Sequence, residues 1–298
     1  MDYNQFEIQL KKTLTTNNGP KLLMKLIDAP YRYISLLNPF NFKTKMEQSF
    51  LRTQENTYYK FLKEIAEYFL IQYQYELLDN NIQIHRPINE NEFETVKLKP
   101  QLLFTDQEKN LNVVWIKKRD TYSASKAVEI FEKFVQNIKD IQFGYKEYKI
   151  KGFIWFIDNE FHLNENYYLS QIDSNLDQLN LKIVYSSDFL AHFDHKSDWE
   201  QIEQHMYSFK QKDYNFLLEM PNLDTDSETL EFMINMSNSS WEKLISNDDI
   251  YLNIRNKIFD QRNENSNFFK ALKIRNIKET ALDEDDFKLK RMQFENNK

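Results

Sequence analysis

Apolar positions along the chain follow two different spacings, and each spacing predicts a different kind of element. Over residues 54–70, apolar side chains recur every three or four residues, which is typical of an amphipathic helix. Short apolar runs bounded by polar turns predict buried strands. These runs cover residues 98–104, 111–116, 148–157 and 181–185. From residue 198 onward the spacing is almost wholly helical.

This order of elements predicts an α/β (α+β) fold. We expect a central mixed β-sheet of about four to five strands flanked by helices, with a helical C-terminal lobe. Residues 1–197 are predicted to form the α/β core together with the N-terminal helices. Residues 198–298 are predicted to form a helical lobe packed on that core.

Composition narrows the possible classes of protein. The 298 residues include no cysteine, which excludes a disulfide framework, a thiolate zinc site and a cysteine nucleophile. With only three glycines, the chain cannot contain a phosphate-binding Walker loop or a dinucleotide-binding motif. No apolar run resembles a signal peptide or a transmembrane helix, so we expect a cytoplasmic protein without a membrane partner. The net charge of −7 excludes a uniformly basic surface but allows a basic cleft.

The two strand-like runs around residue 105 carry the candidate chemistry. A polar turn at 105–110 joins them, the second run ends at Lys117, and a helix is predicted after Ser123. Side chains two apart in a strand face the same way, so an acid two residues before a lysine converges with it. Such carboxylates can hold Mg²⁺, and the lysine can stabilise a phosphate under attack.

Several short motifs resemble the PD-(D/E)XK nuclease superfamily, and within it the type II restriction endonucleases. Lys99–Phe104 resembles the first-strand motif, with Pro100 in place and Gln101 where the family has Asp. Trp115-Ile116-Lys117 resembles the (D/E)-x-K element, with Trp115 in the acidic position. One group of these enzymes is matched further by Arg119-Asp120, by Ser125-Lys126 and by the segment from Asp28 to Lys45. The resemblance covers roughly residues 25–195.

The resemblance implies recognition of double-stranded DNA by a homodimer and Mg²⁺-dependent cleavage of both strands. Lys117 would be the catalytic lysine, with Gln101 and Trp115 at the degenerate acidic positions. Glu64, Glu129 and Glu132 are candidate substitute metal ligands, and Glu55 and Asp106 are further alternatives. A second implied function is a catalytically inactive DNA-binding or partner subunit, working with an active nuclease or a methyltransferase.

Candidate DNA contacts lie on both sides of this hairpin. They are Lys43, Lys45, Lys118, Arg119, Ser125 and Lys126. Ser125 is expected to cap the predicted helix and to donate to a phosphate oxygen. Plainer interpretations stay open: Lys117 as a solvated strand end, Arg119 and Asp120 as a local pair, and Lys43 and Lys45 as a solvated helix face.

Overall fold

Residues 1–87, 93–174, 179–212 and 215–296 are described by a computed structural model. The pattern of contacts divides the chain into two compact units. Unit 1 comprises Met1–Tyr58 and Asp213–Lys298, and unit 2 comprises Tyr59–Lys212. Within the described residues, no helix has both the length and the apolar character needed to cross a membrane.

Within the part of the chain that the structure describes, the strands all belong to unit 2. They are β1 (Glu76–Leu77), β2 (Ile82–Pro87), β3 (Phe93–Leu98), β4 (Leu102–Thr105), β5 (Leu111–Lys117), β6 (Ile150–Phe156) and β7 (Asn180–Tyr185). Five of them form a sheet in the order β1-β4-β5-β6-β7, and β2 and β3 form a separate antiparallel pair. Strand β5 is antiparallel to β4 and parallel to β6, so the sheet is mixed. The predicted α/β class with a mixed central sheet is confirmed.

Helices occupy most of the remaining chain. They are α1 (Tyr3–Thr15), α2 (Asn18–Asp28), α3 (Tyr31–Ile34), α4 (Phe42–Gln72), α5 (Ala124–Gly144), α6 (Glu165–Asp173), α7 (Asp188–Ala191), α8 (Lys196–Lys210), α9 (Ser227–Asn235), α10 (Asn238–Ile245), α11 (Asp249–Ile258), α12 (Asn267–Thr280) and α13 (Glu284–Asn296). A short 3₁₀ turn covers Asn215–Leu218. Helices α5 and α6 provide the two connections between the parallel strands, as such strands require.

Alternating side chains of β6 give the sheet two apolar faces. Ile154 and Phe156 join the cluster that contains the buried face of α5. Trp155 points the other way, where its ring stacks on Phe189 at 4.4 Å and meets Trp199 edge-on at 4.7 Å. Because both faces are covered, the strand reads as a continuous apolar run in the sequence.

The first strand of the predicted hairpin is shorter than expected. The apolar run at 98–104 is divided, because Leu98 ends β3 and pairs with Ile82, whereas β4 begins at Leu102. Pro100 lies between the two strands and cannot donate a backbone hydrogen bond, which explains the break. The second strand and the following helix lie where the pattern placed them.

Unit 1 is helical and has its own apolar core. Residues of α2, including Leu22, Leu23 and Leu26, pack with Met233 of α9 and Ile274 of α12. The first 58 residues therefore belong with the C-terminal helices, and this division differs from the predicted boundary between residues 197 and 198. The helical pattern shows which face of a helix is apolar but not which helix covers that face. The order of the helices along the chain therefore did not predict which of them share a core.

Candidate nucleic-acid interface

A groove of about 710 Å³ opens beside the carboxyl end of β5 in unit 2. Basic side chains greatly outnumber acidic ones in its lining. The basic side chains are Lys97, Lys99, Lys117, Lys118, Arg119, Lys126 and Lys133, and the acidic ones are Asp120 and Glu129. Ligands of open α/β sheets commonly bind outside the carboxyl ends of the strands, which is where this groove lies.

Helix α5 supplies one wall of the groove through a single face. Lys126, Glu129, Lys133 and Asn137 are spaced by three or four residues, so they line one side of the helix. Phe134, on the same wall, meets the ring of Trp115 edge-on at 5.7 Å. This packing fixes α5 against β5 and holds the basic face of the helix beside the strand end.

Lys117 is the last residue of β5 and lines the groove. The residue as a whole is exposed, but the walls of the groove displace part of the solvent around its ammonium group. Loss of solvent around its ammonium group lowers the pKa of Lys117, and the positive charges of Lys133 and Lys126 lower it further. The ammonium group therefore lies in a locally positive potential, which an anionic ligand would relieve.

Gln101 and Trp115 lie next to each other, as the hairpin interpretation requires. Neither side chain carries a carboxylate, and both make contacts within the protein. The Gln101 amide donates to the Val114 carbonyl at 2.9 Å, and its side-chain oxygen accepts from the Ile116 amide at 2.9 Å. Gln101 thus extends the pairing between the two strands by one step. Trp115 is half-buried and packs on the apolar core.

The donor set at this strand end fits a catalytic magnesium ion poorly. Such an ion is held by one or two carboxylates together with water and substrate phosphates, and the two strand-end positions hold Gln101 and Trp115 instead of acids. Among the described residues that line the groove, the acids are Glu129 and the hydrogen-bonded Asp120, whereas Glu64 pairs with Lys60 at 3.3 Å and is not part of the lining. Glu132 also lies outside the lining. Within the described residues, no three His, Asp or Glu side chains are grouped so that they could hold a metal ion.

The two further alternative acids do not repair this donor set. Asp106 lies in the turn before β5, roughly 20 Å along the strand from Lys117, and binds Lys151 at 3.0 Å. Hydrogen bonds from Asn110 and Lys151 outweigh the effect of burial and lower the pKa of Asp106. Glu55 does not line the groove.

Asp120 is buried and anchors the loop that carries the basic residues. Its carboxylate accepts from the Asn164 amide at 2.9 Å, from the Tyr168 hydroxyl at 3.1 Å and from the Thr121 amide at 2.7 Å. Burial, and then the charge of Asp120, raises the pKa values of Tyr168 and Tyr185. Asp120 therefore holds the end of β5 against α6 and is not a solvent-exposed partner of Arg119.

The N-terminus of α5 differs in one detail from the prediction. Its cap is Ser123, whose hydroxyl accepts from the Lys126 amide at 3.3 Å, so the expectation that Ser125 caps the helix is wrong. Ser125 lies in the first turn, and its hydroxyl is 2.8 Å from that of Ser123. The expected start of the helix after Ser123 is confirmed.

Of the remaining predicted contacts, Lys118 lies over the ring of Tyr59 at 4.6 Å, and Arg119 is exposed in the groove. Lys43 and Lys45 belong to unit 1. Lys43 lies 3.9 Å from Glu47 on the same helix, whereas Lys45 lines a separate basic pocket.

Sequence reasoning missed four residues of the groove. Lys97 and Lys99 flank the end of β3, Lys133 lies two turns into α5, and Tyr122 is exposed beside Phe161, with ring centroids 4.2 Å apart. The sequence could have identified Lys133, because its spacing of seven residues from Lys126 places both lysines on one helix face. The sequence could not predict that Lys97 and Lys99 line the groove, since their position depends on the turn at Pro100.

Comparisons with protein-family models, with curated proteins and with solved structures found no match to this chain.

Proposed function

We propose that unit 2 binds double-stranded DNA through this basic groove and does not cut it. The observation that carries the proposal is the charge of the groove, whose lining among the described residues has seven basic and two acidic side chains in a chain whose net charge is −7. One of those acids, Asp120, is occupied by hydrogen bonds inside the protein. The charge that faces a ligand is therefore almost entirely positive.

The shape of this positive surface suits a chain of phosphates better than a single small anion. The basic residues come from three places: the end of β3, the end of β5 with the loop that follows it, and the exposed face of α5. Contacts from Lys and Arg to successive phosphates position a protein on a duplex and supply most of its sequence-independent affinity. Acidic residues elsewhere would focus the field into the groove.

Magnesium-dependent cleavage is the second candidate function. It is favoured by the position of Lys117 at a strand end with Gln101 immediately before the neighbouring strand, as in the superfamily that the hairpin resembles. The donor set described above argues against it, because the two acidic positions hold an amide and an indole. Homodimerisation and a nuclease or methyltransferase partner stay predictions from the resemblance.

The proposal is tested by charge reversal on helix α5. Lys126→Glu with Lys133→Glu reverses two groove charges, and we expect the affinity for a labelled duplex, measured by fluorescence anisotropy, to fall about tenfold or more. The matched control is Lys139→Glu with Lys149→Glu, which changes the net charge equally at two exposed sites outside the groove. The control should bind nearly as well as the unmodified protein.

Equal losses in the two double variants would contradict the groove as the binding site, because they would reflect net charge alone. A second arm separates the two candidate functions. Incubating the protein with plasmid DNA and Mg²⁺ or Mn²⁺ should leave the DNA intact. Discrete fragments that disappear in a Lys117→Ala variant would establish the nuclease instead.

A further inference from the structure

A second basic pocket lies in unit 1, and its described lining residues are all different from those of the groove. Its volume is about 220 Å³, and its charged lining consists of Lys25, Arg32, Lys45 and Arg52. Within the described part of the chain, no carboxylate lines this pocket or forms a salt bridge with any of these four side chains. Four positive charges thus face one small volume without a counter-charge.

Three helices position these cations. Lys25 lies in the last turn of α2, Arg32 lies in α3, and Lys45 and Arg52 lie seven residues apart on one face of α4. Desolvation by burial lowers the pKa of Lys25, and the neighbouring Arg52 and Arg32 lower it further. The guanidinium groups are therefore close enough to Lys25 to repel its charge.

Neutral donors complete the lining of the pocket. The Tyr33 hydroxyl lies 2.9 Å from the Ser49 hydroxyl, and Gln48 lies on the same face of α4. The Lys25 ammonium group donates to the Thr53 hydroxyl, which holds the lysine in place. The combination of guanidinium, ammonium and hydroxyl donors around one pocket matches the oxygen atoms of a phosphoryl group.

We propose that this pocket binds a phosphoryl group that carries more than one negative charge, namely a phosphomonoester or a pyrophosphate. A phosphodiester carries one charge, which leaves most of the four cations uncompensated, whereas a phosphomonoester carries roughly two at neutral pH. Such a group is available from two sources, a free phosphate compound or the 5′ end of a nucleic acid. This proposal does not rest on DNA binding by the groove of unit 2, and either proposal can be refuted without the other.

The test measures thermal stabilisation and binding heat with three probes. These are inorganic pyrophosphate, a short oligonucleotide with a 5′-phosphate, and the same oligonucleotide with a 5′-hydroxyl. We expect pyrophosphate to raise the melting temperature of the unmodified protein. Arg32→Gln with Arg52→Gln should weaken its binding about tenfold or more, since each lost charged hydrogen bond costs a large part of the affinity.

The matched control, Lys21→Gln with Arg262→Gln, removes two exposed cations of unit 1 that lie outside the pocket. Its pyrophosphate affinity should stay unchanged. Without ligand, Arg32→Gln with Arg52→Gln should melt at or above the temperature of the unmodified protein, because it relieves repulsion between like charges. A lower melting temperature with unchanged pyrophosphate affinity would overturn the proposal.

The two oligonucleotides distinguish the sources of the phosphoryl group. Stronger binding of the 5′-phosphorylated form, lost in the Arg32/Arg52 variant, would identify a nucleic-acid end as ligand. Equal binding of both oligonucleotides, together with pyrophosphate binding that depends on Arg32 and Arg52, would identify a free phosphate compound. Absence of pyrophosphate binding to the unmodified protein would refute the site, whatever the duplex affinity of unit 2.

Discussion

Lys117 shows at the scale of one residue how the fold prepares a positive site. The strand end holds its ammonium group near Lys133 and Lys126, and the pKa of Lys117 falls because solvent is lost and like charges are close. A charged lysine whose pKa is lowered in this way destabilises the free protein, and a bound anion would stabilise its charge. The sequence predicted that Lys117 would end a strand and that Lys126 would contact the same ligand, but the approach of Lys133 became apparent only when α5 was placed against β5.

The pH dependence of DNA binding tests this view of Lys117. As pH rises, Lys117 should lose its proton before an ordinary lysine, whose pKa is 10.5, so the affinity for duplex should begin to fall at a lower pH. Lys117→Arg keeps the charge over that range and should flatten the profile. Anisotropy titrations between about pH 7 and 9.5 provide the measurement.

Lys139→Arg, on the exposed side of α5, provides the control and should reproduce the profile of the unmodified protein. In the free protein the sign for stability is opposite. The native state binds this proton less tightly than the unfolded chain, so the free energy of unfolding should rise as the pH increases through the lowered pKa. Identical pH profiles for Lys117→Arg and the unmodified protein would exclude Lys117 as the titrating contact.

At the scale of elements, the position of the groove depends on how closely α5 approaches the sheet. Gly152 of β6 leaves room for the side chains of Ile138 and Phe134, and a Cβ atom there would lie 2.5 Å from the Ile138 Cδ1 atom. The sequence predicted both elements from their apolar spacing. It did not predict this contact, because spacing gives the buried face of an element and not the neighbour that covers it.

Gly152→Ala should therefore lower the free energy of unfolding by about 1–3 kcal/mol through overpacking. Ile138→Val removes the nearest atom and should cost about 0.5–1.5 kcal/mol alone. The double variant should be more stable than the sum of the single effects predicts, because removal of Cδ1 relieves the tightest contact of the new methyl group and leaves the Cγ1 contact at 2.7 Å. Urea denaturation of the four proteins measures the coupling, and strictly additive effects would show that the two positions do not meet.

At the scale of the whole molecule, charge is distributed very unevenly. The net charge of −7 concealed two basic regions, one beside β5 and one formed by α2, α3 and α4. Lys118, Arg119 and Lys126 were found from the sequence because they adjoin a motif. Lys25 and Arg32 were not, since they meet Arg52 only through the packing of three helices. The two compact units divide the chain differently from the predicted boundary for the same physical reason, as nothing local indicates that α2 packs on α9 and α12.

The salt dependence of duplex binding tests the central claim most directly. The logarithm of the binding constant should fall linearly with the logarithm of the salt concentration, with a slope of about −0.9 for each phosphate contacted. We predict that Lys126→Glu with Lys133→Glu makes this slope shallower by about two contacts, whereas Lys139→Glu with Lys149→Glu leaves it unchanged. The same slope in all three proteins would contradict the groove as the DNA-binding surface.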